Sequence, residues 1–185
     1  MKKNKFLLVC LVSILALTSC KKKKDEYTSF VDNVKNSVSE VTYVESNYNV
    51  LDSDVEVYRA KKSISKITNE NDLYSGEAST EEYKLNSSFR LEKSNKVEKF
   101  SNIKKSDLFA YNLDKETFKE YNLTSESFEA TVSKDSAAKF FNINELAVDD
   151  DIIVKITLSD SKITKLETSY KQGSKIVTLS IAYTY

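Results

Sequence analysis

Between positions 152 and 185 apolar and polar residues alternate almost without a break. Ile152, Val154, Ile156 and Leu158 hold every second position, and Ser159-Asp160-Ser161-Lys162 interrupts them. Residues 163–170 resume the alternation, and Lys171-Gln172-Gly173-Ser174 interrupts it again. In residues 175–185, Val177, Leu179, Ile181, Tyr183 and Tyr185 lie on one face, with Thr178, Ser180 and Thr184 on the other. A period of two with polar punctuation predicts an antiparallel three-strand meander with one buried and one wetter face.

From about residue 25 the period is longer. Tyr27, Phe30, Val31, Val34, Val38 and Val41 recur every three or four residues among Asp, Asn, Lys and Ser, which predicts an amphipathic helix. Asp25 and Glu26 precede it, where negative charge suits the helix dipole. The run to Leu51 fits neither period. From Val55 and Val57 the chain reads as extended through Ile64 and Ile67, with a turn at Asn69-Glu70-Asn71-Asp72. Residues 73–77, 82–92 and 97–103 read as further strands, the second placing Tyr83, Leu85, Phe89 and Leu91 on one face. Residues 108–113 read as a strand, and 116–123 as a short helix burying Phe118 and Tyr121. Phe128, Ala130 and Val132 alternate as a strand, and residues 133–141 read as one or two helical turns with Asp135 or Ser136 as N-cap. The fold class is therefore α+β: an N-terminal amphipathic helix laid on a large antiparallel sheet, curved if the family resemblance given below holds, that closes in a three-strand meander.

The extreme N-terminus follows a different pattern. Lys2, Lys3 and Lys5 precede an almost unbroken apolar run from Phe6 to Leu17, and the small residues Thr18 and Ser19 follow. This is the layout of a secretory signal, with an apolar run too short for an ordinary membrane-spanning helix. Leu17-Thr18-Ser19-Cys20 then resembles the lipobox of bacterial lipoproteins, a small-residue tetrapeptide ending in cysteine. That resemblance implies diacylglycerol transfer to the Cys20 sulfur, cleavage between Ser19 and Cys20, and fatty-acyl chains such as palmitate on the mature N-terminus. The organisation it implies is a signal peptide at 1–19, a lipidated Cys20 with a Lys-rich tether at 20–24, and one exported domain at 25–185. The protein would then sit on the extracytoplasmic face of the cell membrane. The tether Lys21–Lys24 would add attraction to anionic head groups of about 1 kcal/mol per Lys, and two acyl chains with a basic patch hold a protein stably.

Composition narrows the chemistry. The chain balances 28 basic against 28 acidic residues, but without the lysines at 2, 3, 5 and 21–24 the part from Asp25 onward has 21 against 28. A mildly acidic domain lacks the clustered positive face that nucleic acid requires. The nine Phe and eleven Tyr of the whole chain, all but Phe6 within the domain, argue for a packed core rather than a disordered stalk. Proline is absent and glycine occurs only at 76 and 173, so Asn, Asp, Ser and Lys must make the turns. The abundance of Lys, Asn, Ile and Tyr points to an AT-rich genome.

There is no histidine, and the only cysteines are Cys10 and Cys20. Disulfides within the domain, thiolate or imidazole metal sites, His-based triads and thiol nucleophiles are thereby excluded for residues 25–185. Two isolated glycines do not make a phosphate-cradling loop. The Ser-x-x-Lys pattern recurs at Ser63–Lys66, Ser101–Lys104, Ser136–Lys139 and Ser159–Lys162 without a following Lys-Thr-Gly, as chance produces in a chain rich in both residues. Asp149-Asp150-Asp151 lacks the spaced ligands and turn glycine of a calcium loop and reads as a solvated turn, as do Asp52 and Asp54. No catalytic residue, metal ligand or cofactor site is assigned, although the many carboxylates leave a hydrolase pair open.

The order of elements, a helix, then successive strands with a helical interruption, then a meander ending in aromatic residues, resembles the lipoprotein-carrier superfamily. That resemblance implies a half-open, strongly curved sheet that holds acyl chains against a helical lid. The expected function is a membrane-anchored, non-enzymatic envelope lipoprotein binding a hydrophobic or envelope-derived ligand. The alternative is a surface protein-interaction or structural module without a ligand cavity.

Overall fold

The computed structural model, which describes residues 25–70, 73–104, 109 and 111–185, holds one open antiparallel sheet of nine strands and two short α-helices. The strands are β1 (Tyr43–Asp52), β2 (Val55–Glu70), β3 (Leu73–Leu85), β4 (Leu91–Lys104), β5 (Phe118–Leu123), β6 (Ser127–Val132), β7 (Ile152–Ser159), β8 (Lys162–Gln172) and β9 (Lys175–Thr184). Their order across the sheet is β4-β3-β2-β1-β9-β8-β7-β6-β5, every neighbouring pair antiparallel. The closing meander β7-β8-β9 is as its alternation predicts. The signal peptide at 1–19, Ser19, Cys20, Lys21–Lys24 and the centre of the turn at Asn71-Asp72 lie outside the described residues.

The first helix, α1 (Glu26–Ser37), has Asp25 as its N-cap, whose carboxylate accepts from the Thr28 amide at 2.8 Å. That bond holds the Asp25 carboxyl below its ordinary pKa. The stripe read from the sequence faces inward: Tyr27, Phe30 and Val34 are buried, and a 3₁₀ turn (Val38–Glu40) carries it on to Val38 and Val41. The stripe meets Phe128, Ala130 and Val132 of β6, Ile152, Val154 and Ile156 of β7, and Ile163 and Leu166 of β8. Each such large side chain contributes about 1.5–3 kcal/mol of burial.

The turns are made without glycine, as the composition requires. Ser53-Asp54 between β1 and β2, and Asp160-Ser161 between β7 and β8, all have positive φ. Two successive left-handed residues match the twist of a two-residue hairpin. Only the β8–β9 turn uses a left-handed glycine, Gly173.

Several expectations are corrected. The unassigned run before Leu51 is β1. Residues 73–85 form one continuous strand, and the proposed strand at 82–92 instead crosses the β3–β4 hairpin, whose turn Asn86–Arg90 separates Leu85 from Leu91. Phe89 therefore does not share a strand face with Tyr83: it sits on the turn, 85% exposed. Of residues 108–113, Tyr111 to Leu113 are not strand, though Phe109 and Leu113 are buried. The helix read at 116–123 is a 3₁₀ turn (Lys115–Thr117) followed by β5, which buries Phe118 and leaves Tyr121 at 41% exposure. The helical turns after β6 are a 3₁₀ turn (Lys134–Ser136) and α2 (Ala137–Phe140), and Ser133, not Asp135 or Ser136, supplies the capping side chain.

Candidate ligand surface on the inner face of the sheet

Register fixes which side chains share the helix-bearing face. One row runs Ile152, Tyr170, Val177, Val50 and Tyr58 across β7, β8, β9, β1 and β2, flanking Ser169–Ile153 pairing by one position. The next runs Val154, Thr168, Leu179, Tyr48 and Ala60, and the next Ile156, Leu166, Ile181, Ser46 and Lys62. The face is apolar under α1 and becomes polar toward β3 and β4, where Thr80, Glu82 and Lys84 continue the rows.

Under α1 the packing is solid. Val34, Val154, Ile156 and Leu166 are fully buried, and the Phe30 ring stacks on Phe128 with centroids 4.7 Å apart. The buried stripe of α1 packs directly on the sheet there, and a small hollow of about 180 Å³ remains at its edge, between Phe30 and Asn33 of α1 and Leu123 and Leu158.

Past α1, toward β1 and β2, the same face is only half covered. Tyr48, Tyr58, Tyr170, Leu179 and Ile181 are all partly buried. Phe141, at the end of α2, meets the Tyr170 ring at 5.7 Å and Tyr48 meets Tyr58 at 5.9 Å, both edge-on. Burial first, and then the Tyr48 hydroxyl beside it, push the Tyr170 phenol well above its ordinary pKa. Burial, and then the Glu82 carboxylate, also raise the Tyr58 phenol. Within this patch Thr168 is 5% exposed and its hydroxyl has no hydrogen-bond partner. A buried hydroxyl left unpaired costs about 1–3 kcal/mol, which a bound acceptor or donor would recover. The patch is thus an aromatic and aliphatic surface with a few inward hydroxyls, the chemistry that suits an amphipathic ligand.

Two other hollows are open. One, of about 400 Å³ and mostly apolar, lies on the opposite face over Ile153, Asn47, Asn49, Ser169, Thr178 and Ser180. The other, of about 410 Å³, lies beside the start of α1 between Asp25, Asp32, Asp114 and Lys115.

The residues weighed for catalysis and metal binding are placed apart or occupied. Lys66 pairs with Glu77 at 3.1 Å, Lys139 with Glu116 at 3.9 Å and Lys162 with Glu40 at 2.5 Å, so these lysines of the Ser-x-x-Lys patterns bind carboxylates. Asp149 accepts from the Gly173 amide and Asp151 from the Lys134 amide and the Lys119 ammonium, so two of the three adjacent acids hold neighbouring turns. The Lys119 ammonium keeps the Asp151 carboxyl below its ordinary pKa. Asp54 lies in the β1–β2 turn and Asp52 beside it. Among the described residues no group of three or more His, Cys, Asp or Glu is placed to hold a metal ion, and no helix is long and apolar enough to cross a membrane.

No protein-family model matches the chain, and no curated protein matches it. Among solved structures the chain is similar to the crystal structure of the Mycobacterium tuberculosis lipoprotein LppX, at 9% identity and a TM-score of 0.32, over 85% of this chain and 93% of that one.

Proposed function

We propose that the protein is a membrane-anchored envelope lipoprotein, held through a lipidated Cys20 after cleavage at Ser19, whose domain 25–185 binds an amphipathic, largely hydrophobic ligand without chemical turnover. The observation that carries the binding part is the unpartnered, buried Thr168 hydroxyl within the half-covered patch of Tyr48, Tyr58, Tyr170, Leu179 and Ile181. A ligand lying there would cover aromatic surface that α1 leaves open and offer a polar group to Thr168. The curved, half-open sheet of the lipoprotein carriers is the architecture this reading invokes, with the ligand beside the helix rather than beneath it.

Saturable binding of a fluorescent fatty-acid probe to the chain from Asp25 tests it. Leu179→Asp weakens that binding, and Thr178→Asp on the opposite face leaves it intact. Mass spectrometry of molecules copurifying with the protein identifies the native ligand class. The anchor is tested separately: Cys20→Ala moves the protein out of the detergent phase, and unchanged partitioning with unchanged mass removes the lipoprotein reading.

A second reading, a surface interaction module without a small-molecule site, draws on the solid packing of α1 against β6, β7 and β8. Absence of saturable probe binding in the wild type leaves that reading in place.

A further inference from the structure

The β3–β4 hairpin ends in a feature that folding does not account for. Phe89 occupies the left-handed region, with φ of +58°, and is 85% exposed. For a bulky L-residue that conformation is an outlier, disfavoured by about 1–2 kcal/mol, and glycine or asparagine is the residue a turn ordinarily places there. Burial gives nothing back, since the ring has almost its whole surface in solvent.

The turn is nevertheless held firmly. The Asn86 side-chain oxygen accepts from the amides of Ser88 at 2.9 Å and Arg90 at 3.0 Å. The Asn86 amide donates to the Arg90 carbonyl at 2.9 Å, and the Phe89 amide to the Asn86 carbonyl at 3.0 Å. The Asn86 side-chain nitrogen also donates to Glu92 at 2.7 Å. A single asparagine therefore fixes a turn that presents Phe89 outward at the end of two long strands. Leu85 and Leu91 pair directly behind it, and Leu91 is 37% exposed. Lys84 and Arg90 flank the tip with Glu92, and Lys93 behind them pairs with Glu81 at 3.2 Å.

We infer that this tip is a membrane contact: Phe89, backed by Leu91, enters the interfacial region of a bilayer while Arg90 and Lys84 meet anionic head groups. An aromatic at the interface with cations around it is the arrangement by which surface elements seat on anionic lipid. The contact is additional to the tether. α1 begins beside β5, with Lys115 3.9 Å from Asp25, and β4 lies eight strand steps away, about 38 Å at about 4.8 Å per step. Two contacts at opposite edges of the sheet would set the orientation of the domain on the membrane, which one point of attachment alone does not.

The chain contains no tryptophan, so Phe89→Trp installs a single local reporter that the rest of the chain does not obscure. The full chain carrying it is reconstituted on vesicles of phosphatidylcholine alone and of phosphatidylcholine with phosphatidylglycerol. On the anionic vesicles the emission shifts to the blue and brominated lipids quench it, and high salt or Arg90→Glu reduces both effects. Val97→Trp, at a position 64% exposed further along β4, remains in water and unquenched. Phe89→Asn melts higher than the wild type, because asparagine tolerates the left-handed backbone. In a Cys20→Ser background it weakens vesicle partitioning by about tenfold, the amount that exposing one large apolar side chain implies. Emission from Phe89→Trp that is as water-exposed and unquenched as that of Val97→Trp overturns the inference. Sedimentation of the same vesicles scores the anchor independently: retention without quenching removes the tip contact and leaves the tether reading standing, whereas quenching that persists with Cys20→Ser supports the tip without it.

Discussion

Phe30 of α1 lies almost flat on Phe128 of β6, the rings 4.7 Å apart and 23° from parallel, with both side chains buried. This contact makes α1 part of the core. Truncation of Phe30 to Ala removes the ring and leaves a cavity bounded by Tyr27, Val34 and Phe128, at a cost of about 3–5 kcal/mol. Equilibrium urea denaturation measures it. A much smaller loss would mean that the helix covers the sheet loosely, as a lid does.

Gly76 is required for steric reasons rather than for its backbone angles. A Cβ there would lie 2.7 Å from Cζ of Phe100 and 2.9 Å from the Ser65 carbonyl oxygen. The strand pairings on both sides also shift register close by, between Ser65 and Thr68 and between Tyr74 and Gly76. Gly76→Ala is expected to destabilise by about 1–3 kcal/mol, the range for overpacking. Combining it with Phe100→Leu relieves the ring contact but not the carbonyl contact, so the double variant recovers only part of the loss in thermal melts.

How far the sequence reveals this fold depends on how unequal the two faces of each element are. The stripe of α1 and the alternation in β7 and β9 are plain because one side packs a core and the other meets water. β1 reads as Tyr-Val-Glu-Ser-Asn-Tyr-Asn-Val-Leu-Asp, with Ser46 and Tyr48 facing inward at the half-covered patch, so no clean period survives. The centre of β3, from Ser75 to Glu82, has only the small residues Gly76 and Ala78 on its inward face before Thr80 and Glu82, so it too shows no apolar alternation. β5 misleads because Phe118 and Tyr121 stand three apart, a helical spacing, although only Phe118 is buried. Phe89 joins Tyr83, Leu85 and Leu91 in an odd-numbered series across a turn that Asn86 closes through its side chain, a signal that periodicity does not carry. The aromatic patch around Thr168 is composed from four strands distant in sequence, and only their register brings it together.

The adjacent acids at 149–151 act in this structure as hydrogen-bond acceptors for turns. Asp149 bonds the Gly173 amide and Asp151 the Lys134 amide. Millimolar calcium and EDTA are accordingly expected to leave the melting temperature unchanged, whereas Asp149→Ala lowers stability by about 0.5–1.5 kcal/mol through the lost bond. A calcium-dependent rise in melting temperature would reassign the run as a cation site.

Alkali should unfold the domain through its buried phenols. Burial raises Tyr111 to about 12, and burial with the Tyr111 phenol beside it raises Tyr183 further. In the unfolded chain both ionise near the ordinary value of about 10. Below that pH both states keep the protons, so these residues leave stability flat. Above it the unfolded chain releases protons that the folded protein retains, and stability falls by up to about 1.4 kcal/mol per pH unit for each phenol. The fall continues until the folded state ionises too, from about pH 12 for Tyr111. On the acid side the depressed carboxyls of Asp25, Glu45 and Asp151 act in the opposite sense, and stability is lost as pH drops through their range. Denaturation midpoints taken between pH 7 and 12 should therefore be level to about pH 10 and then decline. Tyr111→Phe removes one of the raised phenols, with Tyr183, Tyr170 and Tyr27 remaining, and should make that decline shallower, with the slope below pH 10 unchanged. An equally steep decline in Tyr111→Phe would show that its ring is solvated enough to ionise in the folded state and that the alkaline limb belongs to other tyrosines.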